Sequence, residues 1–103
     1  MHERAVIVLD EAVEDLEAGR VFYDSRERGV GVYFLDSLLS DIESLRLHAG
    51  IHPIHFGFHR ALSKRFPFAI YYDQTDEFVR VAAILDMRRD PAWTREELGE
   101  REG

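Results

Sequence analysis

The hydrophobic pattern of this chain changes period once, near Gly50, and that change limits the fold more than any other feature. Before it, Val32, Leu35, Leu38/Leu39, Ile42 and Leu45 recur every three to four residues, with Asp36, Ser37, Ser40, Asp41, Glu43 and Ser44 between them. Such a stripe is the buried side of an amphipathic helix, ended here by Ala49-Gly50. Ala12, Leu16, Gly19 and Phe22/Tyr23 repeat the pattern over roughly residues 10–27, with Asp10 as expected N-cap. Arg28-Gly-Val-Gly31 is a short break, so the two helices form an antiparallel αα-hairpin. After Gly50 the period is two. His55–Ser63 places Phe56, Phe58, Arg60 and Leu62 on one side, and Arg65–Asp73 places Phe66, Phe68, Ile70 and Tyr72 on one face. Phe78–Asp86 completes a three-stranded antiparallel meander. Arg4–Leu9, short and β-branched, reads as a further buried strand at the start.

The expected order is therefore β-α-α-β-β-β, an α+β fold with its helices together on one face of the sheet. Thr94 is the expected N-cap of a short closing helix, and beyond Leu98 the chain is polar and expected to fray. Tyr71 and Tyr72 point to opposite faces, so one of them is expected outside the core.

A chain of 103 residues is the size of one domain. It has no cysteine, which excludes disulfides and thiolate chemistry. No run reaches the ~18 apolar residues of a membrane span, and the start lacks the features of a secretory signal. The expectation is a soluble, cytoplasmic protein without membrane contact. The net charge is −7, and residues 1–50 carry 11 acidic against 5 basic side chains. That balance argues against non-specific nucleic-acid binding, which needs a basic footprint, and sequence-specific DNA binding by this chain alone is not expected.

Basic residues gather in the second half. Arg60, Lys64 and Arg65 could surround a phosphate, or could be edge charges that keep an exposed strand unpaired. Arg88 and Arg89, flanked by Asp86 and Asp90, are either a fork for a partner's carboxylates or a local ion-pair network. Trp93 is either a lid or part of a partner surface. His48, His52, His55 and His59 lie close in sequence, but only His55 and His59 would share a strand face, about 13 Å apart. No metal site is expected from them, since a closed zinc site needs about four converging ligands. Nothing in the sequence calls for a cofactor.

Four segments resemble the RelE/ParE toxin superfamily, especially its ParE-like plasmid-stabilisation branch. They are Ala12-Val-Glu-Asp-Leu16 running to Phe22-Tyr23, Gly31-Val-Tyr-Phe-Leu35, His59 to Tyr72 with its Arg, Phe-Pro and Tyr pattern, and Val79 to Leu85 followed by Arg88-Arg-Asp-Pro91. The resemblance implies a single toxin domain over residues 1–98 with a polar tail over 99–103. It also implies a cognate antitoxin as partner. Asp86 stands where the family often has a histidine, and no tyrosine follows Tyr72. Those departures point to the non-nuclease branch, whose members bind DNA gyrase. On that branch Arg60, Lys64, Arg65, Asp86, Arg88, Arg89 and Trp93 are the expected partner-binding residues. The alternatives are a metal-independent endoribonuclease acting on the ribosome through Arg60, Lys64, Arg65, Tyr72 and Arg88, and an inactive relative that folds and self-associates as a homodimer.

Overall fold

The β-branched opening run forms β1 (Ala5–Val8), but its partner is the last strand rather than the next one in sequence. A computed structural model describes residues 3–101. After β1 come α1 (Asp10–Arg26), α2 (Val30–Glu43), the single turn α3 (Leu45–His48), β2 (Ile54–His55), β3 (Phe58–Leu62), β4 (Phe68–Gln74), β5 (Phe78–Asp86) and α4 (Pro91–Gly99). The sheet runs β1-β5-β4-β3-β2; β1 lies parallel to β5 and every other pair is antiparallel. The α+β class, the opening strand, the hairpin and the meander are as expected, and the sheet gains a fifth strand.

That strand arises because the expected continuous strand over His55–Ser63 is folded in two. Phe56 and Gly57 both take positive φ, 55° and 86°, and His55 pairs with Phe58 across them. Two successive left-handed residues make the tight turn whose twist suits a hairpin. Gly57 takes this conformation freely, whereas Phe56 does so against its side chain. His55 and His59 therefore sit on different strands.

The αα-hairpin is held at its tip by Asp24, whose Oδ1 accepts the backbone N–H groups of Gly29 (2.9 Å) and Gly31 (3.3 Å). Gly31 allows a close approach: a Cβ there would lie 2.5 Å from the Arg20 carbonyl oxygen. Leu9, not Asp10, is the N-cap of α1, and Asp10 supplies first-turn negative charge instead. The expected second helix is interrupted at Ser44. Its buried face also differs by about one position. Phe34, Leu38, Ile42 and Leu45 are buried with Ser37 and Asp41, while Val32 and Leu39 face outward. Asp41 has a reason to be inside, accepting from Ser63 Oγ (2.8 Å) and the Lys64 backbone N–H (3.3 Å) and so tying α2 to the β3–β4 turn.

The sheet is covered on both faces. The hairpin packs Phe34, Leu38 and Ile42 against Phe68, Ile70, Tyr72, Val79, Val81 and Ile84. On the other face, α4 lays Leu98 and Trp93 over Phe58, Ala69, Tyr71, Ala82, Ala83 and Leu85. Tyr71 is thus 3 % exposed and Tyr72 fully buried, contrary to the expectation that one would lie outside. The helix responsible starts earlier than expected. Asp90 is its N-cap, accepting from the Ala92 N–H, Pro91 opens it, and Thr94 is buried within it.

Both faces can be filled because β5 contains a bulge. Tyr71 pairs with Ala83 but Tyr72 with Val81, leaving Ala82 extra. Ala82 and Ala83 therefore both face α4, while Val81 and Ile84 face the hairpin. The Ile84 N–H donates to Asp15 Oδ2 (2.9 Å), and the Ala82 carbonyl accepts from Arg101 Nη1 (3.2 Å). Arg101 belongs to the stretch expected to fray, yet its side chain is only 7 % exposed and pairs with Asp15 and Glu97. Glu102 and Gly103 of that stretch lie outside the described residues.

Candidate functional site

The basic residues of the second half do not form one patch. Arg60 leaves β3 beside Tyr71, on the face α4 covers. Lys64 and Arg65 stand exposed in the β3–β4 turn, and Lys64 lines a different groove with Glu3, Ser40, Glu43 and Arg46. Arg88 is held by Asp86 at 2.7 and 2.9 Å and reaches Tyr23 Oη at 3.4 Å. Of the expected local network, Arg88 with Asp86 is the ion pair formed among the described residues. The Arg88 guanidinium holds the Asp86 carboxyl below the usual range, and Asp86 in turn raises Arg88. Arg89 is differently placed, its guanidinium 3.9 Å from the centre of the Trp93 ring.

Two clefts meet at Arg89. One, of about 420 Å³, opens between α1 and α4 over Gly19, Phe22, Phe68, Ile84, Leu85 and Trp93. The other, of about 130 Å³, gathers Arg60, Arg89, His55, Tyr71 and Thr94, and among the described residues no carboxylate lines it. In a chain of net charge −7 that is a local inversion of sign. Among the described residues the buried Arg60 Nε has no hydrogen-bond partner. Burial pushes the Tyr71 hydroxyl up, against the opposing pull of the Arg60 cation, so it keeps its proton at neutral pH. A small anion suits this cleft: two guanidiniums neutralise charge and a phenol donates. Tyr72, the tyrosine expected with Arg60, lies on the opposite face of the sheet, and the tyrosine beside Arg60 is Tyr71. The sequence signal was the Arg60–Tyr71 cross-strand pair, visible only once the register is known.

Tyr72 belongs to a histidine cluster on the hairpin side. Its hydroxyl accepts the Gly50 N–H (2.9 Å) and lies 2.6 Å from His52 Nδ1. Burial raises Tyr72, so the phenol keeps its proton beside the His52 ring. His59 stacks on the Tyr72 ring and its Nδ1–H donates to the His52 carbonyl (2.7 Å). Two histidines of the segment considered for metal, His52 and His59, thus serve as hydrogen-bonding partners. Among the described residues no group of three or more His, Cys, Asp or Glu is placed to hold a metal ion. Burial lowers His52 first, then the neighbouring His59 and His48 lower it further. The unfolded chain therefore binds a proton at His52 before the folded one does. Its contribution to stability is complete above about pH 6.5, the ordinary histidine value, and is lost as the pH falls through the lowered folded value. Urea titrations from pH 7.5 down to 5.5 are expected to show the wild type losing more stability than His52→Gln; parallel losses would remove His52 as the cause.

A third surface is apolar. The groove of about 360 Å³ between α1, α2 and β1 is lined by Val8, Val13, Leu16, Glu17, Leu35 and Leu39. Val13 is 50 % exposed and Leu39 44 %. β1 beside it is an edge strand. No helix of the described residues is long and apolar enough to cross a membrane.

No family model matches the sequence, and no curated protein matches it. Among solved structures, a chain of the chromosomal ParDE TA (toxin–antitoxin) system from P. aeruginosa matches with a TM-score of 0.72 at 16 % identity, covering 82 % of this chain and 96 % of that one. The likeness establishes the fold, which this chain shares with that chain of the ParDE system.

Proposed function

We propose that this protein is the toxin half of a bacterial type II toxin–antitoxin pair, a ParE-like binder whose target is DNA gyrase and which a cognate antitoxin silences. The observation that carries the reading is a fold shared across 82 % of the chain with a chain of a ParDE TA system. The groove between α1, α2 and β1 supports it, because exposed Val13 and Leu39 beside an edge strand offer both recognition modes open to an antitoxin segment, helix-in-groove and strand addition. Arg60, Arg89 and Trp93, on the other side of the sheet, are the target-facing residues of this proposal. Asp86 and Arg88 position the exit from β5, and Lys64 and Arg65 add exposed charge at the sheet's end.

A second reading, a metal-independent ribonuclease acting on the ribosome, is favoured by one observation. The cleft holding Arg60, Arg89, His55 and Tyr71 brings cations and a protonated phenol together. A third is an inactive relative that associates with itself. Expression in bacteria from a tightly controlled promoter separates the three. Growth is expected to stop with wild type and to resume with Arg60→Ala or Arg89→Ala. Filamentous cells point to gyrase, and an immediate halt in translation points to the ribosome. Normal growth with soluble protein present overturns the toxin reading in favour of the inactive relative.

A further inference from the structure

The groove between α1, α2 and β1 is flanked by carboxylates on both helices, and Glu17 lines it. On α1 the exposed Val13 lies one turn from Asp10 on one side and from Glu17 on the other. On α2 the exposed Leu39 lies one turn from Asp36 and from Glu43 in the same way. Each helix thus presents an aliphatic side chain bracketed by carboxylates along the same ridge. Among the described residues Asp10 and Asp36 have no ion-pair partner, while Glu17 pairs with Arg20 and Glu43 with Arg46. α2 contains no lysine or arginine at all. From Ala5 to Leu45 the chain holds ten carboxylates against three arginines, so its charge excess is concentrated on the body that carries the groove.

We propose that the occupant of this groove is a protein helix whose apolar seam is bordered by lysine or arginine. The inference rests on the reading of the groove as the antitoxin's receiver, and adds the chemistry of the segment received. A cleft between two antiparallel helices takes a third helix by interlocking side chains. An apolar seam fills the space between Leu16, Val13, Leu35 and Leu39, and cations on either side of it meet the two acidic ridges. The same ridges repel the phosphates of nucleic acid and of an anionic lipid surface. Acidic segments are rejected by like charge, so the rim gives selection and the seam gives affinity.

Two synthetic amphipathic helices with one leucine seam, bordered in one by lysines and in the other by glutamates, test this by fluorescence anisotropy on the full chain. The lysine peptide is expected to bind about tenfold tighter at low salt, with the preference shrinking as salt is raised. Leu39→Glu, at an exposed position and checked for folding by circular dichroism, is expected to abolish its binding. Asp36→Lys is expected to narrow the preference about threefold. Equal binding of both peptides overturns the proposal, as does binding of the lysine peptide that ignores Leu39→Glu, or no binding of either. Growth arrest reads the toxin assignment separately. A toxic protein that does not discriminate between the peptides loses this inference alone, and a harmless one that discriminates loses only the toxin reading.

Discussion

Replacing Asp15 by alanine is expected to lower the free energy of unfolding by about 3–5 kcal/mol, the range for removing one partner of a buried ion pair. Asp15 stands at the junction of three elements. Its carboxylate accepts from the Ile84 N–H at 2.9 Å, a β5 group past the last β1 pair, Val8 with Val81, and binds both terminal nitrogens of Arg101. Arg101 in turn donates to Glu97 of α4 (2.9 Å) and to the Ala82 carbonyl (3.2 Å). With side chains 7 % and 14 % exposed, water cannot replace either partner freely. Removing Asp15 leaves the Ile84 N–H without its acceptor and leaves the buried Arg101 cation with Glu97 as its nearest carboxylate. Small domains are stable by only about 5–15 kcal/mol, so the variant sits near its threshold. Urea denaturation of Asp15→Ala against wild type reads the effect. Glu17→Ala, which breaks an exposed pair on the same helix, is expected to leave the midpoint unchanged. A loss below about 1 kcal/mol for Asp15→Ala would mean that the bulge is held by packing rather than by this pair.

The hairpin and meander were legible because periodicity reports which side of an element is buried, and both halves of the chain keep their period. The second core was not. One of Tyr71 and Tyr72 is expected outside because a sheet of this size is given one cover, and nothing in the alternation of β4 says that α4 returns over the far face. Asp90-Pro91 carried that information, since a capping aspartate and a proline at the first helical position start a helix four residues before Thr94. The β5 bulge was hidden by composition: Val-Ala-Ala-Ile contains no polar residue to mark the change of phase. The β2–β3 turn was hidden by Phe56, a residue that seldom takes positive φ, although Gly57 after it was a usable signal. For the candidate site, the sequence singles out Arg60, Arg65, Arg88 and Arg89 with Lys64 but cannot group them. Arg60 and Arg89 share a cleft, Arg88 is spent on Asp86, and Lys64 faces the hairpin side. Proximity in sequence made one patch of Arg60, Lys64 and Arg65, and the β3–β4 turn separates them.

Phe34→Ala is expected to destabilise the fold by about 3–5 kcal/mol, the range for truncating a buried aromatic residue. Phe34 is fully buried where α1, α2 and the sheet meet. Its ring stacks on Tyr23 at 5.1 Å and meets Phe68 and Phe66 edge-on at 4.9 and 5.1 Å. Such rings are stiff, so the space left by truncation closes poorly and the variant falls toward the upper part of that range. The contact on α1 is with Gly19, where an added Cβ would lie 2.5 Å from the Phe34 ring. Gly19→Ala alone is therefore an overpacked variant, with an expected loss of about 1–3 kcal/mol. Combined with Phe34→Ala, the new methyl enters the vacated space instead of the ring, and the double variant is expected to lose less than the sum of the two. That sub-additivity, measured by a thermodynamic cycle in urea, is a specific signature of direct contact between the positions. Strict additivity would mean that α1 and α2 are spaced by something other than this ring. The outcome bears on function through geometry, because Gly19 and Phe68 line the cleft that leads to Arg89 and Trp93, and Phe34 fixes how closely α1 approaches that wall.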